Sequence, residues 1–261
     1  VLCGFGQTAG QAAIEHPAIR KVVFVGSPDT GRRVAIAAAT ALKPAVLELG
    51  GKSANIVFDD ANLEQACLGA QAAIFSGAGQ SCVAGSRLLV QKPVYDELVE
   101  MLSSGMNNIA LGDPLAEDTE VGPLSNARQF SHVTAMIKDA YNAGAAIGTR
   151  KDRPTQGFFV PPTVLRNVEN SDKVAQKEIF GPVVCAIPFE DEAEAITLAN
   201  DTSFGLAGAV WTNDVGRAHR MADTVRAGTF WINSYKAIHV SSPFGGSLKS
   251  GFGRSSGTDA L

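Results

Sequence analysis

Lys21-Val22-Val23-Phe24-Val25-Gly26-Ser27-Pro28-Asp29-Thr30-Gly31 is the stretch from which the architecture can be read. An apolar, β-branched run stops at Gly26, and the residues after it carry the marks of a helix start. Ser27 suits the N-cap, Pro28 the first helical position, and Asp29 the positive end of the helix dipole. A long alanine-rich segment then runs to about Leu42, so the order is strand, turn, helix. A helix start reached from a glycine-containing turn also points free N–H groups outward, an arrangement that suits a phosphate. Good capping alone explains the same residues, and the segment leaves both readings open. Upstream, the chain opens within what reads as a strand leading into Gly4-Phe5-Gly6-Gln7-Thr8-Ala9-Gly10. The spacing of these glycines has one residue too many for a dinucleotide fingerprint.

Downstream the alternation continues. Apolar runs at Ala45 to Leu49, Asn55 to Phe58, Arg87 to Val90, Phe158 to Val164, Val183 to Pro188, Gly208 to Trp211 and Thr229 to Asn233 predict strands. Helical periodicity covers Asn62 to Phe75, Val94 to Ile109, Ser125 to Ala143, Glu190 to Asn200 and Val215 to Thr224. Strands that alternate with helices define an α/β fold. Residues 112–123 and 151–156 read as polar connections, and no repeat or low-complexity tract interrupts the series.

Composition narrows the function classes. The 261 residues are 45% hydrophobic and 18% charged, with a formal net charge of -4. That balance argues against disorder and against a basic nucleic-acid surface, and it leaves small molecules as the expected partners. No apolar run approaches the roughly 20 residues of a membrane span, and the start lacks a signal-peptide pattern. Cys3, Cys67, Cys82 and Cys185 are widely spaced, which argues against a zinc site or a disulfide framework and fits a reducing, cytoplasmic setting. Val1 in place of an initiating methionine, together with an end that carries no stop signal, gives the expectation of a piece of a longer protein.

The chemistry concentrates in four places. In Phe75-Ser76-Gly77-Ala78-Gly79-Gln80-Ser81-Cys82-Val83-Ala84-Gly85-Ser86-Arg87, one thiol sits among glycines whose loop can bring backbone N–H groups close to a substrate atom. Cys82 is therefore a candidate nucleophile, with loop N–H groups as oxyanion donors. The alternative is a small buried cysteine beside a tight turn. Glu48 interrupts an apolar strand just before Gly50-Gly51, so it lies at the mouth of a sheet or pairs with Lys52. Glu178 and Phe180, ahead of Gly181-Pro182, could present a carboxylate to sugar hydroxyls and a ring to a flat heterocycle, if the segment is extended. An acid near a turn and a core phenylalanine would look the same. The fourth place, the glycine-rich tail from Ser242 to Arg254, reads as a shaped loop.

Together these blocks resemble the aldehyde dehydrogenase superfamily. The likeness is carried by Phe24-Val25-Gly26-Ser27 with Gly31, Leu47-Glu48-Leu49-Gly50-Gly51-Lys52-Ser53, Gly79-Gln80-Ser81-Cys82 with Gly85-Ser86-Arg87, Glu178-Ile179-Phe180-Gly181-Pro182, and Pro243-Phe244-Gly245-Gly246. The resemblance implies an α/β fold in which a partial nucleotide-binding domain is followed by an α/β catalytic domain. Residues 1–51 would close the NAD(P)-binding domain, 52–241 would form the catalytic domain, and 242–261 would return toward the cofactor domain. Chains of the family are longer, most of all on the N-terminal side. They assemble as homo-oligomers, so the complete chain is expected to form a dimer or tetramer.

It also implies a chemistry. Cys82 would attack an aldehyde to form a thiohemiacetal, oxidation with NAD or NADP would give a thioester, and Glu48 would activate the hydrolytic water. Gly26, Ser27 and Gly31 would lie at the cofactor, Glu178 at the nicotinamide ribose and Phe180 at the ring. Phe244 and Ile238 match positions beside the aldehyde pocket, and no metal is implied. Ser255 departs from the family, many members of which carry a glutamate there. Ser76 stands where some members have an aromatic residue. Two other readings of the residues remain: a thiol esterase or acyl-transfer enzyme working without a dinucleotide, and an inactive fragment that binds partners.

Overall fold

A computed structural model describes residues 1–150 and 152–258. Lys151, in the expected connection 151–156, and residues 259–261 of the expected return segment lie outside the described residues. Ahead of the first strand, a turn of π-helix at Gly6–Gly10 runs into the short helix α1 (Gln11–Glu15). The strand expected at the opening of the chain does not form. Val1 to Thr8 are exposed, and an extended segment with no partner strand has only water for its backbone groups.

Strand β1 (Val22–Val25) leads through the Gly26-Ser27 turn into α2 (Pro28–Thr40), and the chain returns as β2 (Ala45–Glu48), parallel to β1. The helix starts as its sequence dictates: the Ser27 side chain accepts from the Thr30 N–H at 3.4 Å, and Pro28 and Asp29 occupy the first turn. Val34 and Ala38 of α2 pack on Val22, Leu47 and Leu49. Val23 and Val25, which alternate to the other face, are exposed.

The larger sheet begins at β3 (Ala54–Val57) and continues through α3 (Leu63–Ile74), β4 (Arg87–Gln91), α4 (Lys92–Gly105), α5 (Ala127–Asn142), β5 (Ala146–Thr149) and β6 (Thr163–Arg166). Then come α6 (Lys173–Gln176), β7 (Val183–Phe189), α7 (Glu192–Asn200), the two-residue β8 (Phe204–Gly205), β9 (Ala207–Trp211), α8 (Val215–Thr224) and β10 (Thr229–Ile232). Its strand order is β10-β9-β3-β4-β7-β6-β5, parallel throughout except at the β5 edge. Helices cover the sheet, so Leu88, Leu89 and Val90 are all fully buried, as continuous apolar runs in parallel sheets require. Leu98, Val99 and Leu102 of α4 join the same core, each worth about 1.5–3 kcal/mol of apolar burial.

Beyond the opening strand, two further expectations need correction, and one edge strand has no counterpart in the sequence pattern. The strand expected over Phe158 to Val164 starts only at Thr163, because Pro161 and Pro162 have no N–H to give to a ladder. Strand β5 was hidden by its composition, Ala146-Ile147-Gly148-Thr149, at a half-exposed edge. The tail is more than a loop: β11 (Ser247–Leu248) pairs with β8, and β12 (Gly251–Phe252) pairs antiparallel with β2, placing Gly251 opposite Glu48.

This topology fixes where chemistry can occur. Glu48 and Gly26 lie at the C-terminal ends of β2 and β1, while the segments entering β3, β4, β7 and β9 meet them at the N-terminal edge of the larger sheet. Ligand sites at the carboxyl ends of parallel strands follow the usual rule for the small sheet, and the larger sheet supplies the opposite wall from its amino ends.

Candidate active site

Cys82 follows a turn that ordinary residues resist. Gly77, Ala78 and Gly79 are all left-handed, with φ of 61°, 56° and 69°. A side chain at Gly79 would collide with the Gly181 carbonyl and come 2.7 Å from the Pro182 nitrogen, so the cysteine loop touches the Glu178–Pro182 block through bare backbone. Gln80 ties the loop outward, its Oε1 accepting from the Ser125 N–H at 2.9 Å. Cys82 itself is half-buried and packs with Tyr235 and Phe244 against Val83, Leu206 and Trp231. Burial pushes its thiol up from the ordinary value, and the charge of Glu178 adds to this. Its own N–H and that of Val83 favour the thiolate, and Glu48 opposes it.

The double glycine joins the two candidate catalytic groups. A side chain at Gly51 would meet the Cys82 carbonyl oxygen, and one at Gly50 would meet the Glu178 carboxyl. Glu178 Oε1 accepts from the Gly51 N–H at 3.1 Å. Glu48 lies just before this turn, and its backbone carbonyl accepts from Gly26 N–H at 3.1 Å, so the candidate base and the candidate phosphate turn share a hydrogen bond. The Glu48 side chain is buried. Ser255 Oγ donates to its Oε1 at 3.1 Å, while Oε2 makes no hydrogen bond among the described residues. Burial pushes the Glu48 carboxyl up, against the Ser255 hydrogen bond and the Arg254 charge. The alternative partner considered for it, Lys52, is not bonded to it. Lys52 is fully buried, and burial pushes its ammonium down.

The structure separates the remaining candidates by place. Glu178 is half-buried and pushed up by burial, with the Gly51 N–H and Lys52 pulling it back. Phe180 is at φ 54° and partly exposed, so the segment is not extended through it and does not present the two side chains by simple alternation. Phe244 packs in the apolar cluster of Cys82, whereas Ile238 is exposed outside that cluster. Gly26 and Ser27 form the turn before α2. Gly31 is buried, and a side chain there would lie 2.5 Å from Leu49 Cδ2, so its smallness serves the packing of helix on strand.

Several residues that hold the site were not singled out by sequence. Gln129 Nε2 donates to the carbonyls of Ile179 and Phe180 at 2.9 and 2.8 Å, fixing the backbone on either side of the left-handed turn. Tyr235 Oη donates to the Val83 carbonyl at 3.0 Å, one residue beyond Cys82. Arg87, quoted only as part of a motif, is 1% exposed and gives hydrogen bonds to Lys52 O, Asn170 Oδ1, Leu198 O and Ala199 O. A buried arginine in a run that otherwise reads as strand was the available signal. Among the described residues there is no His, Cys, Asp and Glu cluster fit for a metal, and no helix long and apolar enough to cross a membrane.

An α/β chain with a three-stranded and a seven-stranded sheet, and with a thiol, a buried carboxylate and a glycine turn between them, defines the class of protein. The chain belongs to the aldehyde dehydrogenase family, which it matches over residues 1–261. It is 46% identical over 263 residues to an aldehyde dehydrogenase of Emericella nidulans, covering 100% of this chain and 53% of that protein. The crystal structure of PnpE from Pseudomonas sp. WBC-3 superposes with a TM-score of 0.95 at 44% identity, over 98% of this chain and 54% of PnpE. PnpE has also been solved in complex with nicotinamide adenine dinucleotide. The chain thus spans about half the length of the relatives it matches.

Proposed function

We propose that these residues form the catalytic portion of an NAD(P)-dependent aldehyde dehydrogenase, which oxidises an aldehyde to a carboxylic acid through Cys82. In this reading residues 1–51 close the cofactor domain, 52–241 form the catalytic domain, and 242–261 turn back. The grouping of β1, β2 and β12 in one sheet, apart from the seven-stranded sheet of β3 to β7, β9 and β10, supports that partition. The observation that carries the function is the meeting of Cys82 with Gly51, directly after a buried Glu48 that keeps one carboxylate oxygen unbonded.

Cys82 attacks the aldehyde carbon as thiolate, and its loop N–H groups face the charge that develops on oxygen. Its raised pKa means that a base or a bound cofactor must help to remove the proton. When bound, the dinucleotide supplies the hydride acceptor that turns a thiohemiacetal into a thioester. The residues fit such a group: the Gly26-Ser27 turn opens a helix of 13 residues and is bonded to the Glu48 carbonyl, the Glu178 carboxyl is held on the Gly51 N–H three residues further on, and the Phe180 ring is partly exposed. NAD rather than another cofactor finds support in the PnpE complex. Glu48 then takes a proton from the hydrolytic water through Oε2, which makes no hydrogen bond among the described residues, and the burial that raises its carboxyl makes the ionised form a better proton acceptor.

The test uses the longer protein that carries these residues. Glu48→Gln should keep the initial burst of reduced nicotinamide and slow steady turnover by about a hundredfold, because hydride transfer precedes hydrolysis. Loss of the burst as well would assign Glu48 to thiol activation or to structure. Ester cleavage without any cofactor requirement would favour the acyl-transfer reading instead.

A further inference from the structure

Beside Cys82 lies a cation that the chemistry above does not use. Lys236 follows Tyr235, whose hydroxyl is bonded to Val83, and precedes Ala237, whose carbonyl accepts from Trp231 Nε1 at 3.0 Å. The segment is therefore clamped on both sides of the lysine, and Lys236 is held at φ 59°, a backbone region that residues with side chains rarely occupy. Its half-buried side chain lies over the last turn of α3, where Nζ donates to the Ala72 carbonyl at 3.0 Å. Ser76 Oγ donates to the same carbonyl at 2.7 Å. An ammonium and a hydroxyl thus converge at the start of the cysteine loop.

Helix capping accounts for one of the three ammonium N–H donors. The other two have no protein acceptor, and Lys236 has no carboxylate partner among the described residues. Burial pushes this ammonium down from the ordinary value, and the thiolate of Cys82 is the charge that pulls it back. Half-buried beside the exposed Ala72 and Ser76, this cation keeps part of its hydration, and a carboxylate ligand would supply the counter-ion that the described residues do not. With Cys82 read as the nucleophile, the part of the aldehyde remote from the thiol is the group that would reach this cation.

We propose that Lys236, with Ser76 beside it, is a subsite for a carboxylate on the substrate, so that the preferred aldehydes are semialdehydes with an anionic far end. This rests on the reading of Cys82 as the nucleophile of an aldehyde dehydrogenase. A bound carboxylate accepts the unused N–H donors, restores the ammonium charge, and gains its attraction in a half-desolvated site where screening is weak.

The first measurement needs no aldehyde. In the longer protein that carries these residues, with Cys3→Ser as background, Cys82 is alkylated with iodoacetate, which carries a carboxylate, and with neutral iodoacetamide, each rate being read on the Cys82 peptide. Both reagents consume the same thiolate, so any change in the thiol pKa cancels in the ratio of their rates. Lys236→Met should lower the iodoacetate-to-iodoacetamide ratio by about tenfold at low salt, and Lys236→Arg should keep it near the parent value. A role in capping α3 would change stability and leave the ratio alone. An unchanged ratio in Lys236→Met overturns the proposal.

The second measurement takes the longer protein and compares kcat/KM for the semialdehyde of glutaric acid with that for pentanal. The parent should favour the semialdehyde, chiefly through KM, and Lys236→Met should erase the preference. Equal preference in parent and variant overturns the subsite as a determinant of specificity. If the alkylation ratio falls while neither aldehyde is oxidised, the anion subsite stands and the dehydrogenase reading is what fails.

Discussion

Ser255 and Glu48 are separated by 207 positions in sequence, yet the serine hydroxyl donates to the carboxylate at 3.1 Å. The contact is possible because the tail is pinned at both ends of its turn. Strand β12 sets Gly251 opposite Glu48, and a pair of 2.7 Å backbone hydrogen bonds ties Ser255 to Phe244. One short segment therefore links a residue packed with Cys82 to the candidate base. Where many family members have a glutamate, this chain has a neutral donor aimed at the same neighbourhood.

That geometry predicts the effect of Ser255→Ala. A hydrogen bond to the charged form holds a carboxyl pKa down, so its loss lets burial push Glu48 further up. At a given pH less of the base is ionised, and the acidic limb of steady-state turnover should move to higher pH in the longer protein. The burst should keep its amplitude, and Ser255→Thr should restore the profile. An unmoved limb in Ser255→Ala would show that the hydroxyl does not act through Glu48.

A second prediction concerns the thiol. Burial is the largest cause of the raised Cys82 pKa, and Glu178 is the largest charge contribution. Glu178→Gln should move the pH dependence of Cys82 alkylation to lower pH, since it removes a like charge beside the thiolate. Cys3 is exposed and serves as the internal reference, while Cys67 and Cys185 are buried and should stay unlabelled in folded protein. Peptide mass spectrometry reads all four. A curve for Cys82 that Glu178→Gln leaves in place would remove the electrostatic link.

How far the sequence reached depended on whether each feature is local. The Ser27 cap, Pro28 and the apolar run of β1 are decided by neighbours, and the structure has them where the pattern puts them. The main helices and most strands of the larger sheet were legible for the same reason. Strand β12 was not, because Gly251 is disfavoured in strands, Phe252 alone makes no strand-length run, and the two pair only once β2 is present. Nor was the Gln129 support of the Glu178–Phe180 block, since a half-buried glutamine on α5 carries no periodic signal. The candidate site was visible as separate blocks. Their meeting depends on bare backbone at Gly51 and Gly79, and this appears only in three dimensions.

Arg87 offers a test of the frame around the site. Its guanidinium holds the carbonyl of Lys52 next to the Gly50-Gly51 turn, the Asn170 side chain, and the last carbonyls of α7 at Leu198 and Ala199. Burial pushes its pKa down to about 10. Arg87→Leu strands several buried acceptors, and the expected loss is about 3 kcal/mol or more in chemical unfolding. Arg87→Lys should fall well short of the parent, because one ammonium cannot reproduce the planar fork. A lysine variant as stable as the parent would mean that these hydrogen bonds contribute little.

The last prediction is thermodynamic and follows from the burial of Glu48. Its folded-state pKa is raised, with desolvation the largest cause, opposed by Ser255 and Arg254. Between the unfolded and folded pKa values the native state therefore holds more protons than the unfolded chain, and stability must fall as pH rises through that window. The contribution of the neutral carboxyl is fully present below the ordinary carboxylate value and is lost above the folded one. Gln at position 48 cannot ionise, so it lacks this dependence. It can still accept from Ser255, but its amide would occupy the site of Oε2, which makes no hydrogen bond, and that cost does not vary with pH. The sign of Glu48→Gln at any single pH is thus uninformative, and the change with pH is the diagnostic quantity. Melting both proteins at about pH 4 and about pH 7, on either side of the ordinary glutamate titration, should show the variant gaining on the parent at the higher pH. A difference that stays constant across that range would mean that Glu48 ionises in the fold as easily as in the unfolded chain, and the physical case for it as a base tuned by burial would fall.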